Sequence, residues 1–140
     1  MKYYGICPAS CGEFVQGVMD RAEYLCSYAV DLYSTAEVEE KLNNINLGPL
    51  KSRKAIEAVF KKFNIPVEES KNISLKIRSK IPVGKGMASS TADIGATIGA
   101  TLGLIKKELS SEEIAKLAST IEPTDSIYIC LLYTSDAADE

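Results

Sequence analysis

The segment from Ile81 to Asp93, IPVGKGMASSTAD, constrains this chain more than any other, because it sets a glycine-containing loop between a strand and a helix. Before it, Ile73, Leu75 and Ile77 alternate with Ser74, Lys76 and Arg78, the period of a half-buried strand. From Ser89 the pattern is helical. Gly95, Gly99 and Gly103 recur every fourth residue beside Ala92, Ala96 and Ala100, which predicts a stripe packed closely on a sheet or a neighbouring helix.

A strand, a loop and a helix in that order suit an anion. Gly84 and Gly86 let the backbone approach a ligand, while the unpaired first amides of the Ser89 helix and its dipole favour negative charge. Ser89, Ser90 and Thr91 add hydroxyls for phosphate oxygens or Mg2+. Taken locally, the same residues also serve as a tight turn followed by helix N-caps. The loop is not the common P-loop: GxxxxGK[ST] is absent, and Lys85 lies between the two glycines. Lys85 either neutralises phosphate charge or is a solvated loop lysine.

Elsewhere, residues 2–7 and 24–38 read as strands in a hairpin-like or meander arrangement, separated by the Gly-containing segment Pro8 to Gly17. The run SRKAIEAVFKKF places Ile56, Val59, Phe60 and Phe63 at helical spacing, and Pro66 ends that helix. Ser110 to Glu113 spells a capping box, with Ile114, Leu117 and Ala118 as the apolar side of the next helix.

Composition narrows the chemistry. Sixteen Lys and Arg against 19 Asp and Glu leave a net charge of -3, without the basic excess of a nucleic-acid binder. There is no histidine, so a Ser-His-Asp or Cys-His mechanism is excluded for this chain alone. The four cysteines, Cys7, Cys11, Cys26 and Cys130, form no CxxC pair and read as core or site-lining thiols. The opening MKYYGICPAS lacks a signal-peptide pattern, and the apolar stretch Ile94 to Ile105 is too short to span a bilayer, so the reading is cytoplasmic, with no membrane partner.

The full spelling PVGKGMASSTA resembles the ATP-binding motif of GHMP kinases, P-x-x-x-G-L-G-S-S-A. Pro82, Gly86, Ser89 and Ser90 fall on the motif's positions, while Met87 replaces Leu, Ala88 replaces Gly and Thr91 replaces Ala. CPASCGEFVQG (Cys7 to Gly17) is similar to the first motif of that family. The spellings SCGE-x-VQG, AVDLYS, GMASSTADI and IEPTDS look like its L-threonine kinase subfamily, and the resemblance covers residues 1–127.

The resemblance implies an α+β fold, the ribosomal protein S5 domain 2-like N-terminal domain, with a mixed sheet and helices mainly on one face. It implies ATP and Mg2+ as cofactors and a small-molecule alcohol as substrate, L-threonine foremost, phosphorylated to O-phospho-L-threonine for cobalamin synthesis. Homoserine or mevalonate types and a non-catalytic nucleotide-binding module are the alternatives. RNA-binding proteins share the fold but not this loop and charge balance.

By motif position, ATP falls to Pro82, Val83, Gly84, Lys85, Gly86, Met87, Ala88, Ser89, Ser90 and Thr91. Ser90 and Glu122 become the Mg2+ ligands, and Ser10, Gly12, Glu13 and Gln16 line the substrate side. Asp125 becomes the base or hydroxyl-orienting group, although PTDS is equally good turn chemistry. Cys11 reads as a lining residue rather than a nucleophile.

The tail CLLYTSDAADE, residues 130–140, resembles a translated transposase sequencing adapter, so the natural sequence is expected to end near Ile129. Family members carry a C-terminal domain that closes the cleft. Residues 1–129 without it are expected to bind nucleotide weakly, with apolar surface exposed where that domain docks.

Overall fold

The computed structural model describes residues 1–19, 22–82 and 89–122, of which 10–19, 22–30 and 111 are described by backbone alone. Strands β1 (Lys2–Met19) and β2 (Ala22–Glu40) pair antiparallel, from Lys2↔Glu39 to Met19↔Ala22. Strand β3 (Ile73–Ser79) joins the other side of β2, also antiparallel, in the order β1-β2-β3. The α+β class holds. Among the described residues both pairings are antiparallel, so the parallel component of a mixed sheet is not seen there.

The segment Pro8 to Gly17, expected to separate two strands, instead runs on inside β1. Register shifts between Pro8 and Ala9 and between Cys11 and Val15 absorb its irregular residues. Gly12, Glu13 and Phe14 fall opposite Ser27 alone, the extra residues of a bulge. β1 lies at the edge of the described sheet, where a proline costs no ladder hydrogen bond on its open side.

Helix α1 (Leu50–Lys62) follows the expected apolar spacing, burying Ile56, Val59 and Phe60. It also buries Arg53, whose guanidinium clasps four carbonyls: Nε donates to Leu47 at 2.9 Å, Nη1 to Ser70 at 2.7 Å, and Nη2 to Ile73 at 2.7 Å and Asn46 at 3.1 Å. That clasp ties the loop before α1 to β3 and to a short 3-10 helix, Val67–Asn72, which periodicity did not announce.

Helix α2 (Ser89–Ile105) lies across β1 and β2 and is packed in turn by α1. Small residues allow this. A Cβ built on Gly5 would lie 1.9 Å from the Ala96 carbonyl oxygen and 2.5 Å from the Ala100 amide nitrogen. The close packing is therefore real at Ala96 and Ala100, whose backbone meets Gly5 of the strand, whereas Gly99 and Gly103 of the expected stripe are exposed. Cys7, Ala36, Val38, Ile94 and Ile98 complete the core, while Tyr4 and Ile6 on the opposite face of β1 are exposed. Helices thus cover one face, as expected.

Helix α3 (Ser111–Ser119) starts from the capping box read in the sequence: the Glu113 amide donates to Ser110 Oγ at 3.2 Å, and Glu113 Oε1 accepts from the Ser110 amide at 3.5 Å. Ser110→Ala is expected to lower the unfolding free energy by about 1 kcal/mol. A denaturant titration should show this as a lower midpoint at unchanged slope, whereas an unmoved midpoint would mean that α3 does not depend on its cap. No helix among the described residues is long and apolar enough to cross a membrane.

Candidate functional site

The end of β3 sets up the loop. The Lys80 amide donates to the Tyr33 carbonyl at 3.2 Å and the Ile81 amide to Ser79 Oγ at 3.1 Å, so the chain leaves the sheet still fastened to β2. Ile81 is buried and Pro82 exposed. Val83, Gly84, Lys85, Gly86, Met87 and Ala88 lie outside the described residues, as does Asp125. The chain resumes at Ser89 as the first residue of α2. Its first amides have no intrahelical partner, and they carry the positive end of the dipole.

Ser89 and Ser90 are half-buried at this helix start, and Thr91 is buried in the core. Ser90 Oγ donates to Glu122, 3.0 Å from each carboxylate oxygen. Lys51 Nζ, from the first turn of α1, lies 3.3 Å from Glu122 Oε2. Glu122 is itself held by its amide, which donates to the Ala118 carbonyl at 3.0 Å just past α3. Three elements thus deliver a hydroxyl, a carboxylate and an ammonium to one place beside the amino end of α2.

Ser90 and Glu122, expected as metal ligands, are therefore brought together. Both are hard oxygen donors, the type Mg2+ prefers, and Mg2+ at phosphate sites uses one or two protein ligands with phosphate oxygens and water. The pair fits. Among the described residues no group of three or more acidic, Cys or His side chains could cage a metal by itself.

Ser10 and Gln16 pair with Ala29 and Leu25 in the β1–β2 ladder, and Gly12 and Glu13 sit in the bulge. Their side chains lie outside the description, so they are placed by backbone only.

Sequence reasoning missed Lys51, Ser34 and Asp93. Ser34 Oγ, fully buried on β2, donates to Asp93 Oδ1 at 2.5 Å. Burial pushes the Asp93 carboxyl above the ordinary carboxylate range, with the Ser34 hydrogen bond pulling the other way. The signal available was spacing: Asp93 falls three residues after Ser90, on a neighbouring face of the same helix.

Residues 51–132 match the family described as GHMP kinases N terminal domain. The L-threonine kinase of Salmonella typhimurium is 48% identical over 120 residues, 86% of this chain and 40% of the relative. The L-threonine kinase of Citrobacter freundii is 41% identical over 120 residues, 86% of this chain and 41% of the relative. The chain therefore spans well under half the length of these curated relatives. Mevalonate kinase of Pyrococcus abyssi is 44% identical over 70 residues, 50% of this chain and 20% of the relative. A crystal structure of mevalonate kinase superposes with a TM-score of 0.61 at 27% identity, covering 87% of this chain and 46% of that one. With β3 and α2 in place on either side of residues 83–88 and Ser90 meeting Glu122 at the helix start, the family match carries its structural counterpart, and this chain belongs to the GHMP kinase family through its N-terminal domain.

Proposed function

We propose that the protein is an ATP- and Mg2+-dependent kinase that phosphorylates the side-chain hydroxyl of L-threonine, giving O-phospho-L-threonine for cobalamin synthesis. The observation that carries the reading is the convergence of the Ser90 hydroxyl and the Glu122 carboxylate at the amino end of α2, directly after the glycine loop. The identity with L-threonine kinases over 86% of the chain supports the acceptor.

Phosphoryl transfer through a loose transition state asks for positioning and charge neutralisation more than for covalent help. The loop amides from Val83 to Ala88 and the first amides of α2 cradle the phosphates, with the helix dipole aligned to the anion. Ser90 and Glu122 would hold the cation, which when bound would supply charge neutralisation at the phosphate oxygens. Asp125, by motif position, orients the acceptor hydroxyl or takes its proton. Ser10, Gly12, Glu13 and Gln16, by motif position, belong to the acceptor side of the site.

A second domain, as expected from the relatives' greater length, would dock here and close the cleft. Leu42, Ile45, Leu47 and Leu50, all exposed around the start of α1, offer apolar surface of the kind a domain covers.

The mevalonate kinase neighbours favour one alternative, an isoprenoid alcohol as acceptor, and the same experiment decides between them. Purified full-length protein with Mg2+ and ATP is offered L-threonine, L-serine, L-homoserine and mevalonate, with ADP release and the phosphorylated product measured. A kcat/KM highest for L-threonine is the expected result. A preference for mevalonate or homoserine would discard the threonine and cobalamin assignment, and no turnover with any acceptor would leave a nucleotide-binding module.

A further inference from the structure

We infer that Asp93, held by Ser34, is the subsite that recognises the primary ammonium group of an amino-acid substrate. This deepens the L-threonine reading and rests on it.

Position comes first. Asp93 lies three residues beyond Ser90 on α2, about 4.5 Å further along the axis. Ser34 faces it from β2, where its register partners are Ser79, the last residue of β3 before the glycine loop, and Cys7, the first residue of CPASCGEFVQG. The carboxylate therefore stands beside the strand residues that lead, along the chain, into the nucleotide loop and into the acceptor-side segment.

The chemistry of the group is the second observation. Ser34 engages Oδ1, and among the described residues Oδ2 accepts no hydrogen bond. None of the ion pairs among the described residues includes Asp93. The side chain is half-buried rather than sealed, so a ligand can reach it. A desolvated carboxylate without a counter-ion is costly to maintain. As a tie between helix and sheet, an asparagine would accept the same Ser34 hydrogen bond without that cost. What the charge adds is affinity for a cation.

L-threonine brings an ammonium two carbons from its reacting hydroxyl. An acceptor without one would leave the carboxylate desolvated and unpaired, which is how a polar site rejects the wrong substrate. Asp93 thus becomes a specificity residue that touches the acceptor, distinct from the cation pair Ser90 and Glu122.

The test is equilibrium binding by calorimetry, using full-length protein loaded with Mg2+ and a non-hydrolysable ATP analogue. The probes are L-threonine and (R)-3-hydroxybutanoate, which keeps the hydroxyl and the carboxylate but lacks the ammonium. Asp93→Asn is expected to weaken L-threonine by about 10- to 100-fold, the worth of a charge-assisted hydrogen bond. It should leave the ATP analogue unchanged and bind (R)-3-hydroxybutanoate as tightly as wild type or more tightly, because the unpaired charge is gone.

Stability supplies the readout that a structural role would not move. Between the ordinary carboxylate pKa and the raised one the native state binds more protons than the unfolded chain, so stability falls as pH rises through that interval. Asp93→Asn removes that fall and should melt at or above the wild-type temperature at neutral pH. Should the variant fail to fold, Ser34→Ala, which releases Oδ1, is to show a smaller loss confined to L-threonine. Equal weakening of both probes, unchanged L-threonine affinity, or lost Mg2+ affinity with discrimination intact would each overturn the assignment. A wild-type protein that binds mevalonate but not L-threonine removes the acceptor reading itself.

Discussion

Gly5→Ala should cost about 3 kcal/mol or more, beyond the usual range for an extra methyl group in a packed core. The added Cβ would fall 1.9 Å from the Ala96 carbonyl oxygen and 2.5 Å from the Ala100 nitrogen, both helix backbone. No side-chain rotation relieves such a contact; α2 must lift from β1 as a unit. The paired control is Gly99→Ala, whose Cβ meets only Gly5 Cα, at 3.7 Å. In an exposed helix interior that change should stabilise by about 0.5 to 1 kcal/mol. Denaturant midpoints measure both, and a Gly5→Ala protein as stable as wild type would contradict the close approach of strand and helix.

The effect should reach the site. The approach at Gly5 presses α2 onto the sheet, and α2 carries Ser89 and Ser90 at its amino end and Asp93 against Ser34. A helix displaced by one methyl group moves those atoms together. Any Gly5→Ala protein that remains folded is therefore expected to bind nucleotide more weakly, although Gly5 touches no ligand.

Local pattern made much of this legible in the sequence. The spacing of Ile56, Val59 and Phe60 marked α1, alternation from Ile73 to Ile77 marked β3, and Ser110 with Glu113 marked the start of α3. Each signal is complete within a few residues. What escaped depends on distant partners. Pro8 to Gly17 carries loop composition, and only pairing with β2 across an edge strand turns it into β1. Arg53 looks like an ordinary polar helix residue until carbonyls from 46, 47, 70 and 73 surround it.

The same division holds at the site. Ser90 and Glu122 each stood out in the sequence as candidate cation ligands, and the fold brings their side chains together. Ser34 and Asp93, separated by 59 positions, each lay inside a segment already singled out, yet nothing local joined them. Lys51 is a surface lysine by sequence and acquires meaning only beside Glu122.

Glu122→Gln is expected to lower kcat/KM for the acceptor by roughly 100-fold or more, the scale of losing one charge-stabilising group aimed at a phosphoryl transition state. The amide keeps the shape and still accepts the Ser90 hydroxyl, so folding should be spared and the loss read as lost cation binding. A Mg2+ titration of activity checks this: Glu122→Gln should need far more Mg2+ for half-maximal rate, and Ser90→Ala should follow in the same direction. Lys51 predicts the opposite sign. Its ammonium sits 3.3 Å from Glu122 Oε2, neutralising in part the charge that a divalent cation needs. Lys51→Met should therefore lower the Mg2+ requirement by about two- to fivefold, the scale of a partly exposed ion pair. Equal Mg2+ requirements in wild type and Glu122→Gln would detach Glu122 from the cation and leave its contact with Ser90 as a clasp between α2 and the turn after α3.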